Sequence, residues 1–380
     1  MLTEYVKTYK ISSGFVGHFS LEEKYYKILA MDESIEKLAQ DIEAADWFEG
    51  KVLKNEVLAP RTSMKVGGPA DLFIEPATLL ALVNTVCLCK DANLPIFVLG
   101  GGSNLVVNDG GIRGVTISIS NLKNFHIKPG KAMECTIEDF EQVKESCPMT
   151  VSCGSGMTME DLLKNCSLYG ITGLEKFAGL PGTVGGATYM NARCYEENIG
   201  DAITSVKYLD LNEVSKCDKF NINSILKTYT HYSGTDDWDY KKSPFQNMKC
   251  IIVEVSFLCK GLDLYINEGC TANPAIQDYI NKKYEYYIED RKSKGHFKAA
   301  SAGSVFKNNH SFGKPSGKII DEVGLKGKSI GGAQVAPWHG NFIINNGEAK
   351  AEDIRKLVDF VKEKVFENTG FNLEEEIIFV

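Results

Sequence analysis

No stretch of this chain is apolar for long enough to cross a membrane as a helix, which takes about 20 residues. Its opening, "MLTEYVKTYKISSGFVGHFSLEEKYY", mixes charges and aromatics and lacks the apolar segment of a signal peptide. The eleven cysteines are odd in number and scattered, with no C-x-x-C pair, so neither a disulfide framework nor a metal site such as zinc is indicated. Cys87 and Cys89 lie in an apolar helical stretch and read as small buried hydrophobes. Positive charge is in deficit, with 42 Lys and Arg against 50 Asp and Glu and a net charge of −8, which argues against nucleic acid or a polyanionic membrane as partner. There is no internal repeat and no low-complexity linker. These absences leave the expectation of a cytoplasmic enzyme or binding protein with small-molecule partners, acting as a monomer.

At 380 residues, 43% of them hydrophobic, the chain is too long for one core and predicts two or three domains. A charged helix is expected over Ser34 to Glu43. "DLFIEPATLLALVNTVCLCKDANLPIFVLGGG" then reads as strand, helix, strand, and Gly114–Ser120 as a further strand. After a charged stretch from Asn121 to Pro148 comes a strand over Thr150–Gly156. A helix follows that starts at Thr158-x-x-Asp161 and stops at Gly170. Strands dominate from Ile203 to Leu258, and a new unit begins near Arg291. The last helix is the most periodic element, with Ile354, Leu357, Val358, Val361 and Val365 on one face and Gly370 closing it. A terminal strand over "LEEEIIFV" completes an α+β pattern.

Three glycine-rich segments stand out: "RTSMKVGGPAD", "LGGGSNLVV" and "GLEKFAGLPGTVGGATYMNARCYEE". None is G-x-G-x-x-G, no Walker lysine follows, and "NLVVNDGG" cannot be the helix that a Rossmann turn requires. Singly, each is as good a structural turn as an anion nest. Three within 150 residues suggest a long ligand wrapped by backbone, as a dinucleotide would be.

Together with "SAGSVFKN", "GLKGKSIGGAQV", "GNFIIN" and "LEEEI", these segments occur in the order of one family. The chain resembles UDP-N-acetylenolpyruvoylglucosamine reductase (UDP-N-acetylmuramate dehydrogenase) from about Ile35 to Val380. The resemblance implies a two-part FAD-binding fold of the vanillyl-alcohol-oxidase/PCMH type plus a C-terminal α+β substrate-binding domain. The implied division is an extension at 1–33, FAD-binding subdomains at 34–118 and 119–288, a UDP-sugar domain at 289–373, and residues 374–380 returning to the first subdomain or the site. It implies FAD as cofactor, NADPH as co-substrate and UDP-N-acetylglucosamine enolpyruvate as substrate. By the same resemblance Gly100, Gly101, Gly102, Ser103 and Asn104 bind the pyrophosphate. Thr62 and Ser63, with Gly179, Pro181, Gly182, Thr183, Gly185 and Gly186, flank the flavin, and Asn191 helps hold it. The tyrosine-bearing lid insertion of one branch of the family is missing, which suggests the other branch.

An enol ether conjugated to a carboxylate needs hydride at its β-carbon, a proton at its α-carbon, and stabilisation of the enolate-like charge between. Ser304 matches the family's proton donor, and alternation puts Ser304, Phe306 and Asn308 on one strand face. Glu376 matches the catalytic glutamate, facing the same way as Glu374 and opposite to Glu375, and its role requires a raised pKa. Where the family has Tyr-Arg-x-Ser, this chain reads "YKKS". Lys241 therefore stands in for an arginine that grips the substrate carboxylate, beside Tyr240. Arg193, in "MNARCYEE" where the family has "MNAGAYG", is the other candidate cation. Lys307, Asn308, Lys326 and Gln334 are expected near the substrate. His339 fits a ligand contact or a structural histidine equally. Arg291, Lys292, Lys294 and Lys298 read by default as a solvated face, with phosphate binding as the alternative. A flavin oxidase of the same fold, or a silent flavin-binding protein, are the competing readings.

Overall fold

The computed structural model describes residues 21–129, 148–214, 225–231, 237–262 and 271–380, with side chains from residue 31 onward except at Pro129. Helix α1 (Leu21–Glu43) starts thirteen residues before the expected Ser34, so the implied boundary at residue 33 falls inside it. Ile35, Leu38, Ala39 and Ile42 bury one face, the spacing an amphipathic helix requires. It covers a sheet made of β1 (Gly50–Val57), β2 (Pro69–Pro76), β3 (Ile96–Leu99) and β5 (Ile112–Ser118), in the order β1-β2-β5-β3. β4 (Leu105–Val106) lies outside that sheet. Strands β2, β5 and β3 are parallel, as the strand–helix–strand pattern predicts, with α2 (Leu79–Asp91) capped by Thr78. β5 runs two residues earlier than expected. It ends where the Ser118 and Ser120 hydroxyls bond each other at 2.8 Å and the chain turns.

The second unit is an antiparallel sheet. Its strands are β6 (Phe125–Pro129), β7 (Pro148–Gly154), β11 (Ile203–Asp210), β12 (Leu226–Thr230) and β13 (Cys250–Gly261), in the order β12-β11-β13-β7-β6. Much of the Asn121–Pro148 stretch lies outside the described residues. The short β8 (Ile171–Thr172) pairs with the end of β13, and β9 (Arg193–Cys194) with β10 (Glu197–Asn198). Helix α3 (Met159–Leu168) begins as expected, Thr158 accepting the Asp161 N–H at 2.9 Å. It is followed by the one-turn α4 (Val184–Tyr189) and by α5 (Pro274–Ser293), whose Ile276, Ile280 and Tyr284 enter this core. The two units share apolar packing, because Leu209, Ile251 and Val253 join the cluster holding Leu72 and Val86.

The third unit is the antiparallel sheet β14-β17-β16-β15, made of β14 (Ala300–Ser304), β15 (Ser329–Ile330), β16 (Ala333–Val335) and β17 (Phe342–Asn345). It packs with α6 (Ser316–Glu322) and α7 (Ala351–Thr369), whose five periodic apolar residues are all buried. Gly370 ends α7 at φ 73°, the left-handed cap that glycine tolerates. The terminal strand is shorter than its sequence pattern predicts: only β18 (Ile378–Phe379) pairs regularly, in parallel with β4 of the first unit. The preceding residues lie along 305–307 instead. Lys307 donates to the Glu374 carbonyl and Glu376 to the Val305 carbonyl, each at 2.8 Å. The expected common face of Ser304, Phe306 and Asn308 is not found. Gly303 at φ 75° breaks the pairing register, so Val305 and Phe306 both enter the core while Ser304 lines a cavity.

Candidate active site

The three units enclose a cavity of about 1170 Å³, larger than most single small-ligand pockets. Gly100–Asn104, following β3, form one wall, and Gly179, Pro181 and Gly186, around the start of α4, form another. The two glycine segments are in contact. A Cβ at Gly101 would stand 2.5 Å from the Gly182 Cα, and one at Gly100 would stand 2.8 Å from the Thr183 Oγ. Gly102, at φ 60°, would drive a Cβ to 2.4 Å from the Arg61 carbonyl. Backbone is thus brought to the cavity surface at points where no side chain fits. Gly182 itself lies behind that wall. Pro95, Phe97, Leu105 and Ile252 add apolar surface, suited to a flat aromatic ring system.

Lys241, Glu376 and Ser304 converge on this cavity from the second unit, the C-terminal segment and the third unit. Lys241 Nζ lies 2.6 Å from Glu376 Oε1, with side-chain exposures of 13% and 11%. Lys241 occupies a tight turn in which Asp239 and Lys242 exchange backbone hydrogen bonds at 3.1 and 3.0 Å. Its φ of 57° is left-handed, which costs a lysine about 1–2 kcal/mol. The turn is held from three sides. Asn191 Nδ2 donates to the Asp239 carbonyl (2.8 Å) and Gln246 Nε2 to the Lys241 carbonyl (3.1 Å), while Ser243 Oγ donates to the Tyr189 carbonyl (2.7 Å). Burial pushes the Glu376 carboxyl up from its ordinary value, opposed by Lys241 and then by Lys307. Glu376 is fixed through its backbone, whose carbonyl accepts the Asn104 side-chain amide at 2.9 Å. Among the described residues none hydrogen-bonds the Ser304 hydroxyl.

Several expected site residues take other work. Thr62 is buried, and its hydroxyl donates to the carbonyls of Ala59 (3.2 Å) and Val66 (3.1 Å), so it shapes the loop and does not line the cavity. Ser63 does line the cavity, where it donates to the Ser301 carbonyl at 2.7 Å. Asn191 accepts the Gly200 N–H (3.0 Å) and donates to the Asp239 carbonyl, so it positions the Lys241 turn. Tyr240 accepts the Asn308 N–H at 3.2 Å, and Asn308 in turn accepts the Ser316 N–H. Lys307 pairs with Glu374, and Lys326 with Asp321 at 2.8 Å. Gln334 donates to the Gly327 carbonyl at 3.0 Å. None of Tyr240, Lys307, Asn308, Lys326 and Gln334 lines the cavity. Arg193 does, with its guanidinium 5.8 Å from the Tyr240 ring centre. His296 also lines it, its pKa pushed down to about 4 by burial first and then by Arg291. Sequence reading missed Ser243, Gln246 and the burial of Arg291. The serine of "YKKS" was the available signal for the first, and the other two carry none.

Residues 70–213 match the family described as "FAD binding domain", which places the glycine-walled cavity in an FAD-binding oxidoreductase. Residues 295–380 match "UDP-N-acetylenolpyruvoylglucosamine reductase, C-terminal domain". The chain is 40% identical to the UDP-N-acetylenolpyruvoylglucosamine reductase of Treponema denticola over 332 residues, covering 87% of this chain and 94% of that one. It is 37% identical to the same reductase of Treponema pallidum, over 86% and 92% of the two chains. The solved reductase of Thermus caldophilus superposes with a TM-score of 0.61 at 26% identity, over 87% of this chain and 99% of that one. The chain belongs to the UDP-N-acetylenolpyruvoylglucosamine reductase family. Its fold class is the one expected from the sequence: a two-part FAD-binding fold with a C-terminal α+β unit.

Proposed function

We propose that this enzyme reduces UDP-N-acetylglucosamine enolpyruvate to UDP-N-acetylmuramate in peptidoglycan precursor synthesis, with NADPH as reductant. The observation that carries this reading is the convergence of Ser304, Glu376 and Lys241 on one glycine-walled cavity. The glycine walls fit FAD, because they offer backbone contact at positions that any Cβ would block. Gly100–Asn104 would hold its pyrophosphate, and Gly179–Gly186 would flank its ring. When bound, FAD would supply hydride-transfer chemistry between NADPH and the substrate.

The protein's residues manage charge and the proton. The substrate's β-carbon gains hydride, its double bond shifts electrons toward the carboxylate, and its α-carbon then takes a proton from the Ser304 hydroxyl. Glu376, with its pKa raised by burial, keeps a proton available to the enolate-like oxygen, which a fully ionised carboxylate would repel. Lys241 fixes that carboxyl and supplies positive charge beside it. The apolar walls exclude water, which strengthens both effects.

The test uses the purified holoprotein without oxygen. NADPH should bleach the flavin absorbance, and UDP-N-acetylglucosamine enolpyruvate should restore it. Recovery only on admitting oxygen would instead identify an oxidase of this fold, and no bleaching or recovery at all would identify a silent flavin-binding protein.

A further inference from the structure

Arg291 stands in the last turn of α5, within a basic run whose other members behave as a solvated face. Lys292 and Lys294 are more than half exposed and pair with Glu289 and Asp290. Arg291 is 7% exposed and lines the cavity. One terminal nitrogen donates to the Cys194 Sγ at 2.9 Å, and its guanidinium carbon lies 5.6 Å from the Tyr195 ring centre. Its Nε has no hydrogen-bond partner, and no described carboxylate lies within ion-pair distance. Gly179 makes room for its stem, since a Cβ there would sit 2.9 Å from the Arg291 Cδ.

A guanidinium stays charged wherever it is placed, and a thiol and a ring face compensate it poorly. The nearest acidic neighbour in sequence, Asp290, is engaged by Lys294 and by the Tyr195 hydroxyl. Lys241, the residue that replaces the family arginine, is in the opposite condition, because the Glu376 carboxyl already engages it at 2.6 Å. The two cations line the same cavity. The Cys194 thiol, pushed up by burial, is pulled down by both Arg291 and Lys241. The cavity therefore holds one cation engaged by an acid and one guanidinium without a carboxylate partner among the described residues.

We propose that Arg291 is the residue that binds the carboxylate of the enolpyruvyl group, leaving Lys241 to serve Glu376. This rests on the reaction proposed above. The planar fork of arginine matches a carboxylate in two-pronged fashion, which an ammonium cannot. The guanidinium absent from position 241 is thus supplied from α5.

Two ligands separate the possibilities on oxidised holoenzyme, with binding read from perturbation of the flavin spectrum. UDP-N-acetylglucosamine enolpyruvate carries the carboxylate, and UDP-N-acetylglucosamine carries only the diphosphate and sugar. Arg291→Gln should weaken the first by about 10- to 100-fold and the second by less than about threefold. Arg291→Lys, which keeps the charge and much of the stem, should recover part of the loss and guards against a glutamine variant that fails to load flavin. Equal weakening of both ligands, or unchanged binding of both in a flavin-loaded variant, would overturn the assignment. If wild-type enzyme itself fails to reoxidise with the enolpyruvyl nucleotide, the proposed reaction falls. If wild type turns over and both Arg291 variants bind as wild type does, this inference alone falls.

Discussion

Asn191 and Asp239 lie 48 residues apart, and the Asn191 side-chain amide donates to the Asp239 carbonyl at 2.8 Å, two residues before Lys241. Its other end accepts the Gly200 N–H, so the left-handed turn at Lys241 is tied to the loop after α4. Asn191→Ala removes both bonds, each contributing about 1 kcal/mol. Turnover should fall at least about tenfold while the flavin content of the purified protein stays near one per chain. Loss of flavin with unchanged turnover per bound flavin would contradict this positioning role.

The Lys241–Glu376 pair makes a signed prediction about pH. Burial raises the Glu376 pKa and Lys241 lowers it, so turnover that needs its proton should decline on an alkaline limb above the ordinary glutamate range. Lys241→Met removes the opposing charge, so burial acts with less opposition and the limb should move to higher pH as the plateau rate falls. Glu376→Gln should abolish the limb and most of the turnover while flavin stays bound. A Lys241→Met limb displaced to lower pH would refute the arrangement.

Ser304 lines the cavity at the end of β14, and none of the described residues engages its hydroxyl. Ser304→Ala should cut turnover by about 10²- to 10⁴-fold, the usual range for a lost general acid. Anaerobic bleaching by NADPH, followed in a stopped-flow instrument, should proceed at the wild-type rate. A slowed bleaching step would assign the serine to a different stage.

Thr62 and Gly101 were expected to share a role at the cofactor and should part company on mutation. Thr62→Val removes a buried hydroxyl that donates to two carbonyls of its own loop, at a cost of about 1–3 kcal/mol. It should lower the melting temperature without changing flavin affinity beyond about twofold. Gly101→Ala places a Cβ 2.5 Å from the Gly182 Cα and forces the two glycine walls apart, costing about 1–3 kcal/mol of strain. It should yield protein largely without flavin, measured as the absorbance ratio at 450 and about 280 nm of the purified chain.

How far the sequence reaches depends on whether the cause is local. Gly101 and Gly102 were legible because close backbone contact leaves glycine as the only residue that fits. The opposite facing of Glu375 and Glu376 was legible too. Glu375 turns outward to Arg355 at 3.0 Å and Lys362 at 2.9 Å on α7, while Glu376 points into the cavity. Phe306 was misplaced because alternation presumes an unbroken register, and Gly303 breaks it. Asn191 and Arg291 were beyond reach for another reason. Their roles come from partners 48 and 97 residues away, which no local pattern encodes.

The Asn104 amide that holds the Glu376 carbonyl joins residues 272 positions apart. At 5–20 residues per second of synthesis, the glycine cradle, completed at Gly186, leaves the ribosome roughly 10–38 s ahead of Glu376. For that interval a nascent chain has the walls for a flavin and no means of delivering a proton. Cofactor capture and catalytic competence are thereby separated in time by the order of the gene.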